Sequence, residues 1–291
     1  MSSAAPVGLF VGLTTMDFVF GVDGYPQRNT KNIVSEVGLF AGGPAANAAV
    51  AFAALGGRSR LQTVIGRHPL TGAIRDDLER RQVELLDRAP GHAGLPPLAS
   101  IVVSRPGGDR TVLSTASTGL PPTEFEPRDF APRPDVVLID AHLLAQCLAA
   151  ARHARAQGVP VVYDAGHWKP GLEPVCEAVD YAVCSDAFFP PGCRSGEETL
   201  AWLAAKGVPY RAITRGELPI VWQGPDGACE IPVEAIDAAD TLGAGDFFHG
   251  AFSFAIASGA SFTDALREGA RVATLSCRSF GTRAWLESLR R

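Results

Sequence analysis

Residues 240–246, Asp-Thr-Leu-Gly-Ala-Gly-Asp, set three small residues in front of an aspartate at the mouth of an apolar helix. Gly243, Ala244 and Gly245 let a ligand come close to the backbone, and the first-turn amides of a helix have no partner within it. Together they form an anion site. Two familiar phosphate loops are excluded: none of the lysines completes GxxxxGK[ST], and Phe248 stands where GxGxxG needs its third glycine. A carboxylate beside a bound phosphate repels it, and becomes useful when it accepts a proton from a hydroxyl attacking that phosphate. Asp246 reads as that base, the helix end stabilising both the ionised carboxylate and the charge on the transferred group. Taken alone, an aspartate here is more simply a helix-start residue.

A second site stands near the other end, in "GLFAGGPAANAAVAFAALGG" (38–57). Gly42 and Gly43 open an alanine-rich helix whose conspicuous polar side chain is Asn47. A glycine pair lets a polyhydroxy ligand lie against backbone amides, while the Asn47 amide both donates and accepts toward its hydroxyls. The bland alternative is an asparagine satisfied inside the protein. Asp17, within "TTMDFVF", is either a residue on a solvated strand face or an acceptor for a sugar hydroxyl.

The elements that must position these groups follow from periodicity. "RLQTVIG", "DVVLID", "VPVVYD", "YAVCS" and "YRAITRG" are buried strands, and "LTGAIRDDLERRQV", "LLAQCLAAARHARAQG" and "SGEETLAWLAAKG" are amphipathic helices. Their alternation implies an α/β protein with a mostly parallel sheet covered on both faces, which binds ligands beyond the carboxyl ends of its strands. Helices over 244–258 and 261–277 close the fold. "PVGLFVGLTTMDFVFGV" reads as a buried strand running into a half-exposed one, and "LASIVVS" and "RTVLST", separated by "RPGGD", as a hairpin. A small sheet over about 14–38 and 97–117 is therefore expected beside a core of 1–13, 39–96 and 118–291.

"AGGPAANAA" and "DTLGAGDFFHGAF" resemble the two signatures of the ribokinase-like (PfkB) carbohydrate kinases, and the order of elements is similar along essentially the whole chain. The resemblance implies a three-layer α/β/α core with a small β-sheet lid, and phosphorylation of a sugar hydroxyl by ATP with Mg2+. Carried over by position, Asp246 is the catalytic base; Gly243, Ala244 and Gly245 are the anion hole for the γ-phosphate; Asp17, Gly42, Gly43 and Asn47 bind sugar. Thr214 and Gly216, in "TRGELP", contact nucleotide, and Asp240 with the Leu242 carbonyl holds a monovalent cation such as K+. Two positions depart from the pattern: Ser185 and Phe188 stand where Asn-x-x-Glu is usual, and Pro219 replaces the last glycine of the nucleotide turn. "GLTTMDFVFGVDGYP" and "FHGAF" are most similar to the branch holding ketohexokinase and the sulfofructose kinases, which implies a ketose. Arg28, Lys31 and Arg110 are the basic candidates for an anionic one, with solvated surface charges as the plainer reading. His142 is placed to face the cleft or to be structural, and His249 is given a packing role. The alternatives are a nucleoside kinase, with Phe18, Phe20 or Phe40 clamping a base, and a sugar or nucleotide sensor without turnover.

A chain of 291 residues with net charge −5 and no Lys/Arg run argues against a nucleic-acid or membrane surface. The six cysteines form no CxxC pair and read as ordinary interior residues, and neither a signal peptide nor a bilayer-spanning run is present. The expectation is a reduced, cytoplasmic protein, pairing through its lid as a homodimer because a lone lid exposes a sheet edge and an apolar face.

Overall fold

Apolar runs and helical segments alternate through the chain, and in the computed structural model, which describes residues 4–34, 36–105 and 107–290, they assemble into two sheets. The elements are β1 (Val7–Val11), β2 (Thr15–Val22), β3 (Glu36–Gly42), α1 (Pro44–Ala54), β4 (Arg58–Thr63), α2 (Thr71–Arg80) and β5 (Val83–Asp87). Next come β6 (Leu98–Ser104), β7 (Asp109–Ser114), β8 (Val136–Ile139), α3 (Leu144–Ala156), β9 (Val161–Ala165), α4 (Glu173–Cys176) and β10 (Tyr181–Ser185). The rest are α5 (Gly196–Ala205), β11 (Tyr210–Arg215), β12 (Leu218–Gly224), β13 (Gly227–Ile231), α6 (Ala244–Ala257) and α7 (Phe262–Ser276).

The large sheet runs β13-β12-β11-β10-β9-β8-β1-β4-β5 and is parallel from β11 to β5. Both of its faces are covered, as its uninterrupted apolar strands require. Phe10, Val136 and Leu138 point to one side, into a core with α1, α2, α6 and α7. Leu9, Val11, Val137 and Ile139, their neighbours along the same strands, point to the other, into a core with α3, α4 and α5. Strand order departs from β1 in both directions, so a crevice opens at the carboxyl ends of β1 and β8.

The small sheet runs β3-β2-β6-β7, with β2 and β6 parallel and the outer pairs antiparallel. Val19, Ala99, Ile101 and Val103 form its inner apolar face, against which Phe40, Leu242 and Phe280 pack. It therefore lies directly on the segments before α6 and after α7. The expected three-layer core with a lid is the fold present.

Several local expectations are corrected. The helical pattern through "RRQV" stops at Arg80, because Gln82 takes a left-handed φ of 58°, and Val83–Asp87 becomes the edge strand β5. β3 keeps its pairing with β2 past residue 38, as far as Gly42, so the small sheet runs to the start of α1. "TRGELP" is the turn and start of an antiparallel hairpin, with β12 and β13 extending the sheet edge. Cys229 is exposed on β13, and Cys193 and Cys277 are half-buried, so only Cys147, Cys176 and Cys184 are interior. Pro106, within the "RPGGD" expected to join the hairpin, lies outside the described residues. Among those described, no helix is long and apolar enough to cross a membrane.

The helices carrying the two glycine motifs meet at Gly250. A Cβ there would lie 2.3 Å from the Ala48 carbonyl oxygen and 2.7 Å from the Ala51 methyl. Gly250→Ala is expected to cost about 1–3 kcal/mol by overpacking, despite the ~1 kcal/mol gained from alanine's better helix propensity. The urea midpoint, at unchanged m, measures it.

Candidate functional site

Four neighbouring strands end at one rim, carrying Asp140 after β8, Asp164 in β9, Ser185 in β10 and Thr214 in β11. Asp140 fills the crevice between β1 and β8. Its Oδ2 accepts from the Leu13 amide (2.7 Å) and the Ala45 amide (3.2 Å), and Oδ1 from the His142 amide (2.9 Å). A Cβ on residue 12 would sit 2.2 Å from that carboxyl, so Gly12 is required by it. Asp140 thereby ties the first turn of α1 to the sheet.

Gly43 precedes α1 with φ 93°, and a Cβ on it would lie 2.5 Å from the Leu13 carbonyl oxygen. Three residues into the helix comes Asn47, buried, whose Nδ2 donates to Asp246 Oδ2 at 2.9 Å. The two motifs thus meet through one hydrogen bond. Gly243, left-handed at φ 74°, starts α6, and residues beyond it place Ala244 and Gly245 in the first turn; nothing lies within 4 Å of a Cβ built on Gly245. That open space is on the approach an anion needs to reach the helix end. Burial pushes Asp246 up to about 7, Asp164 adding to the effect; the Asn47 hydrogen bond, His249 and Arg110 oppose it.

His249 does more than pack. Its Nδ1 is 2.7 Å from the Gly245 carbonyl oxygen and its Nε2 is 3.0 Å from that of Val183, so the ring satisfies both acceptors only when both nitrogens carry protons. Asp164 Oδ2, otherwise without a hydrogen-bond partner, lies 3.4 Å from Nδ1. Burial pushes Asp164 up to about 8 and the imidazole down. The two carbonyls favour a proton on each ring nitrogen and so oppose the downward effect of burial.

Asp17 is buried, which rules out the solvated strand face. The Thr15 hydroxyl donates to its Oδ1, and a Cβ on residue 42 would fall 1.8 Å from its Oδ2, so Gly42 exists to make room for it. Burial raises its carboxyl to about 6, opposed by Thr15 and by Arg283. Phe40 faces Asp17 across the β2–β3 pair, whereas Phe18 and Phe20 alternate to the opposite face.

Arg283 escaped the sequence reading altogether. It is buried, its Nε and Nη2 meet Asp77 Oδ2 at 3.1 and 3.0 Å, and its Nη1 donates to Asn47 Oδ1 at 3.0 Å. Nη2 also donates to the Ala41 carbonyl, and the guanidinium lies 5.9 Å from the centre of the Phe40 ring. A lone arginine in "GTRAW" has no local pattern to mark it. Asp140 and Asp164 did offer a signal, since each sits at the carboxyl end of a buried strand.

Asp240 is buried and accepts from two backbone amides, Leu242 at 2.8 Å and Gly281 at 2.9 Å, which fixes the segment before Gly243. The lid hairpin touches this segment. The Thr241 hydroxyl and amide donate to the Gly108 carbonyl (3.0 and 3.2 Å), and Arg110 donates to the Thr241 hydroxyl at 2.8 Å. Arg110 alone of the three basic candidates has such a contact; Arg28 and Lys31 are exposed in the segment between β2 and β3. Thr214 donates to the Cys184 carbonyl at 3.2 Å, and Gly216 (φ 61°) turns β11 into β12, where Pro219 gives its carbonyl to Arg215. Phe188 is buried in an edge-to-face cluster with Tyr163 and Trp168, so core packing occupies the place of the missing carboxylate. His142 is half-buried, with Nδ1 3.4 Å from Lys169 Nζ.

Residues 9–289 match the family model described as pfkB family carbohydrate kinase. The chain is 25% identical over 277 residues to a ribokinase of Bacillus subtilis (strain 168), covering 93% of this chain and 92% of that one. To the ketohexokinase of Mus musculus it is 26% identical over 293 residues, covering 92% and 95%. Among solved structures, a candidate ribokinase from Agrobacterium tumefaciens matches with a TM-score of 0.85 at 26% identity, covering 99% of this chain and 98% of that one.

The raised carboxyl of Asp246 sets a sign for stability. Its folded value of about 7 exceeds the free value of 3.8, so its contribution is fully present below pH 3.8 and is lost as pH rises through 7. Asp246→Asn is therefore expected to match the wild type in stability near pH 3.5 and to exceed it increasingly from pH 4 to 8. Urea unfolding at pH 3.5, 6 and 8.5 reads the difference; an equal gap at all three would assign it to packing instead.

Proposed function

The chain belongs to the pfkB family of carbohydrate kinases, and on that footing we propose that it transfers the γ-phosphate of ATP to a hydroxyl of a ketose or furanose-type sugar, with Asp246 as general base. The observation that carries this reading is the 2.9 Å hydrogen bond from Asn47 to Asp246, which sets a sugar-binding amide beside a carboxylate at the N-terminus of α6.

Asp17, Asn47 and the backbone around Gly42 and Gly43 hold the sugar. Asn47 occupies Asp246 Oδ2, and Oδ1 takes the proton of the acceptor hydroxyl as that oxygen attacks the phosphoryl group in line. Amides of Gly243, Ala244 and Gly245 stabilise the charge on the transferred group. A base whose carboxyl is raised to about 7 lies near the pH at which it must work, where Brønsted behaviour is most favourable.

Nucleotide lies along the rim toward Thr214 and Gly216. Mg2+, which neutralises phosphate charge in such transfers, comes held mainly by the ATP phosphates. In support, no group of three metal-ligating side chains converges among the described residues, and Phe188 is committed to the core. Asp240 and the Leu242 carbonyl are the monovalent-cation ligands of this reading. The lid's outer residues Val37, Leu39 and Leu113 are 59%, 55% and 70% exposed, which supports pairing of two copies through this sheet.

The relatives named ribokinase and ketohexokinase support a furanose-type or ketose acceptor. The test is ADP release with Mg-ATP, with and without K+, over ketoses, aldoses, their phosphates and sulfonates, and nucleosides. Sugar-dependent turnover is expected, lowered by about 10²–10⁴ in Asp246→Asn with sugar binding retained. Turnover on nucleosides alone would move the assignment to a nucleoside kinase, and near-wild-type rates in folded Asp246→Asn would remove it as the base.

A further inference from the structure

Arg283 is 4% exposed, and a buried guanidinium is expensive unless every N–H is used. Here its donors are distributed over four acceptors: Asp77 Oδ2 on α2, the Ala41 carbonyl in β3, the Thr282 carbonyl and Asn47 Oδ1 on α1. Asp77 in turn accepts from the Ala41 amide at 3.0 Å. The charge is therefore balanced by Asp77, while the bond to Asn47 uses an Nη1–H and at the same time bears on the orientation of the amide.

Arginine has donors and no acceptor, whereas a primary amide has one oxygen and one NH2 group. With Nη1 of Arg283 3.0 Å away, Asn47 must turn its oxygen to the guanidinium, which leaves its NH2 for Asp246. The opposite orientation would set NH2 against N–H on one side and a carbonyl oxygen against a carboxylate on the other. We infer that Arg283 is a positioning residue for phosphoryl transfer: by locking the Asn47 amide it keeps Nδ2 on Asp246 Oδ2 and directs the other carboxylate oxygen to the acceptor hydroxyl. This rests on the reading of Asp246 as the base.

The lock has a pH signature. The groups facing Asp246 are Asn47 from α1, Asp164 from β9, Arg110 from β7 and His249 on its own helix. Only Asn47 is bonded to Arg283. A donor to the ionised carboxylate lowers its proton affinity, so loss of the lock raises it, and the acid limb of kcat, where the base becomes protonated, moves to higher pH. Arg283 also faces Asp17, and its loss changes KM for the sugar; Asn47→Leu leaves the Arg283–Asp17 relation in place but removes a sugar contact of its own, so its effect on Asp246 is read from the carboxyl titration without sugar.

The experiment compares pH profiles of kcat, and 13C NMR titration of the Asp246 carboxyl, in four proteins besides the wild type. Arg283→Met with Asp77→Leu removes both buried charges together, a replacement that proteins often tolerate. Arg283→Lys keeps a charge for Asp77 but has no planar fork to span Asp77, Ala41 and Asn47. Asn47→Leu deletes the bridge, and Asp246→Asn the base. The first three are expected to move the acid limb and the carboxyl titration upward by about one pH unit, with about tenfold less turnover one unit below the wild-type limb. A wild-type limb in the double variant overturns the inference; should that protein not fold, a wild-type limb in Arg283→Lys does so. An unmoved carboxyl titration in sugar-free Asn47→Leu rejects it equally. Normal turnover in Asp246→Asn would instead sink the base reading, a separate failure, since the carboxyl titration reports on Arg283 whether or not Asp246 is the base.

Discussion

The carboxylate proposed as the general base sits in a place that opposes its ionisation. Asp246 is pressed upward by burial and by Asp164, and pulled back by Asn47, His249 and Arg110, drawn from three different elements. The balance leaves it near 7, where it is basic enough to take a hydroxyl proton and still substantially ionised near neutral pH. Each contributor has to be held to within a hydrogen bond of its place. That need accounts for the rest of the site: Asp140 pinning α1 to the sheet, Val183 pinning His249, and Arg283 pinning Asn47.

Around the site, glycine permits several close approaches. Gly12 yields to Asp140, Gly42 to Asp17, Gly43 to the Leu13 carbonyl and Gly250 to α1. Gly245 differs, having nothing within 4 Å of where a Cβ would stand, and in the proposed reading that space is left to a phosphate. The glycines in and around the two motifs thus separate into those that let protein meet protein and those that stand in open space. In amino-acid sequence the two kinds look identical.

That distinction marks how far the sequence was legible. The paired motifs could be read because small residues before a helix and a single polar side chain within it are local patterns, and the buried strands because their apolar runs are continuous. β5 was lost because the helical pattern carried across Gln82, where backbone conformation and not side-chain polarity ends the helix. The β12–β13 edge is not legible because β12 carries Pro219 and β13 is short and mostly exposed, without a continuous apolar run. Asp140 and Asp164 stand at the carboxyl ends of buried strands and could have been read, whereas Asp77 and Arg283 are ordinary charged residues in sequence, important only through neighbours brought near by the tertiary fold.

Arg283 meets partners 206 residues earlier at Asp77, 236 earlier at Asn47 and 242 earlier at the Ala41 carbonyl. Gly281 closes on Asp240, and Trp285 packs on Phe247 with ring centres 4.8 Å apart, so one short stretch joins both motifs. On a ribosome making about 5–20 residues per second, Asn47 waits on the order of ten to fifty seconds for its arginine. Throughout that interval Asp77 has Arg81, four residues on and 3.9 Å away, as its counter-ion, and the bonds by which Arg283 ties α1, α2 and β3 together are unmade. Completion of the bonds around Asn47 is thus a late event in the history of each molecule, timed by synthesis and not by local helix formation.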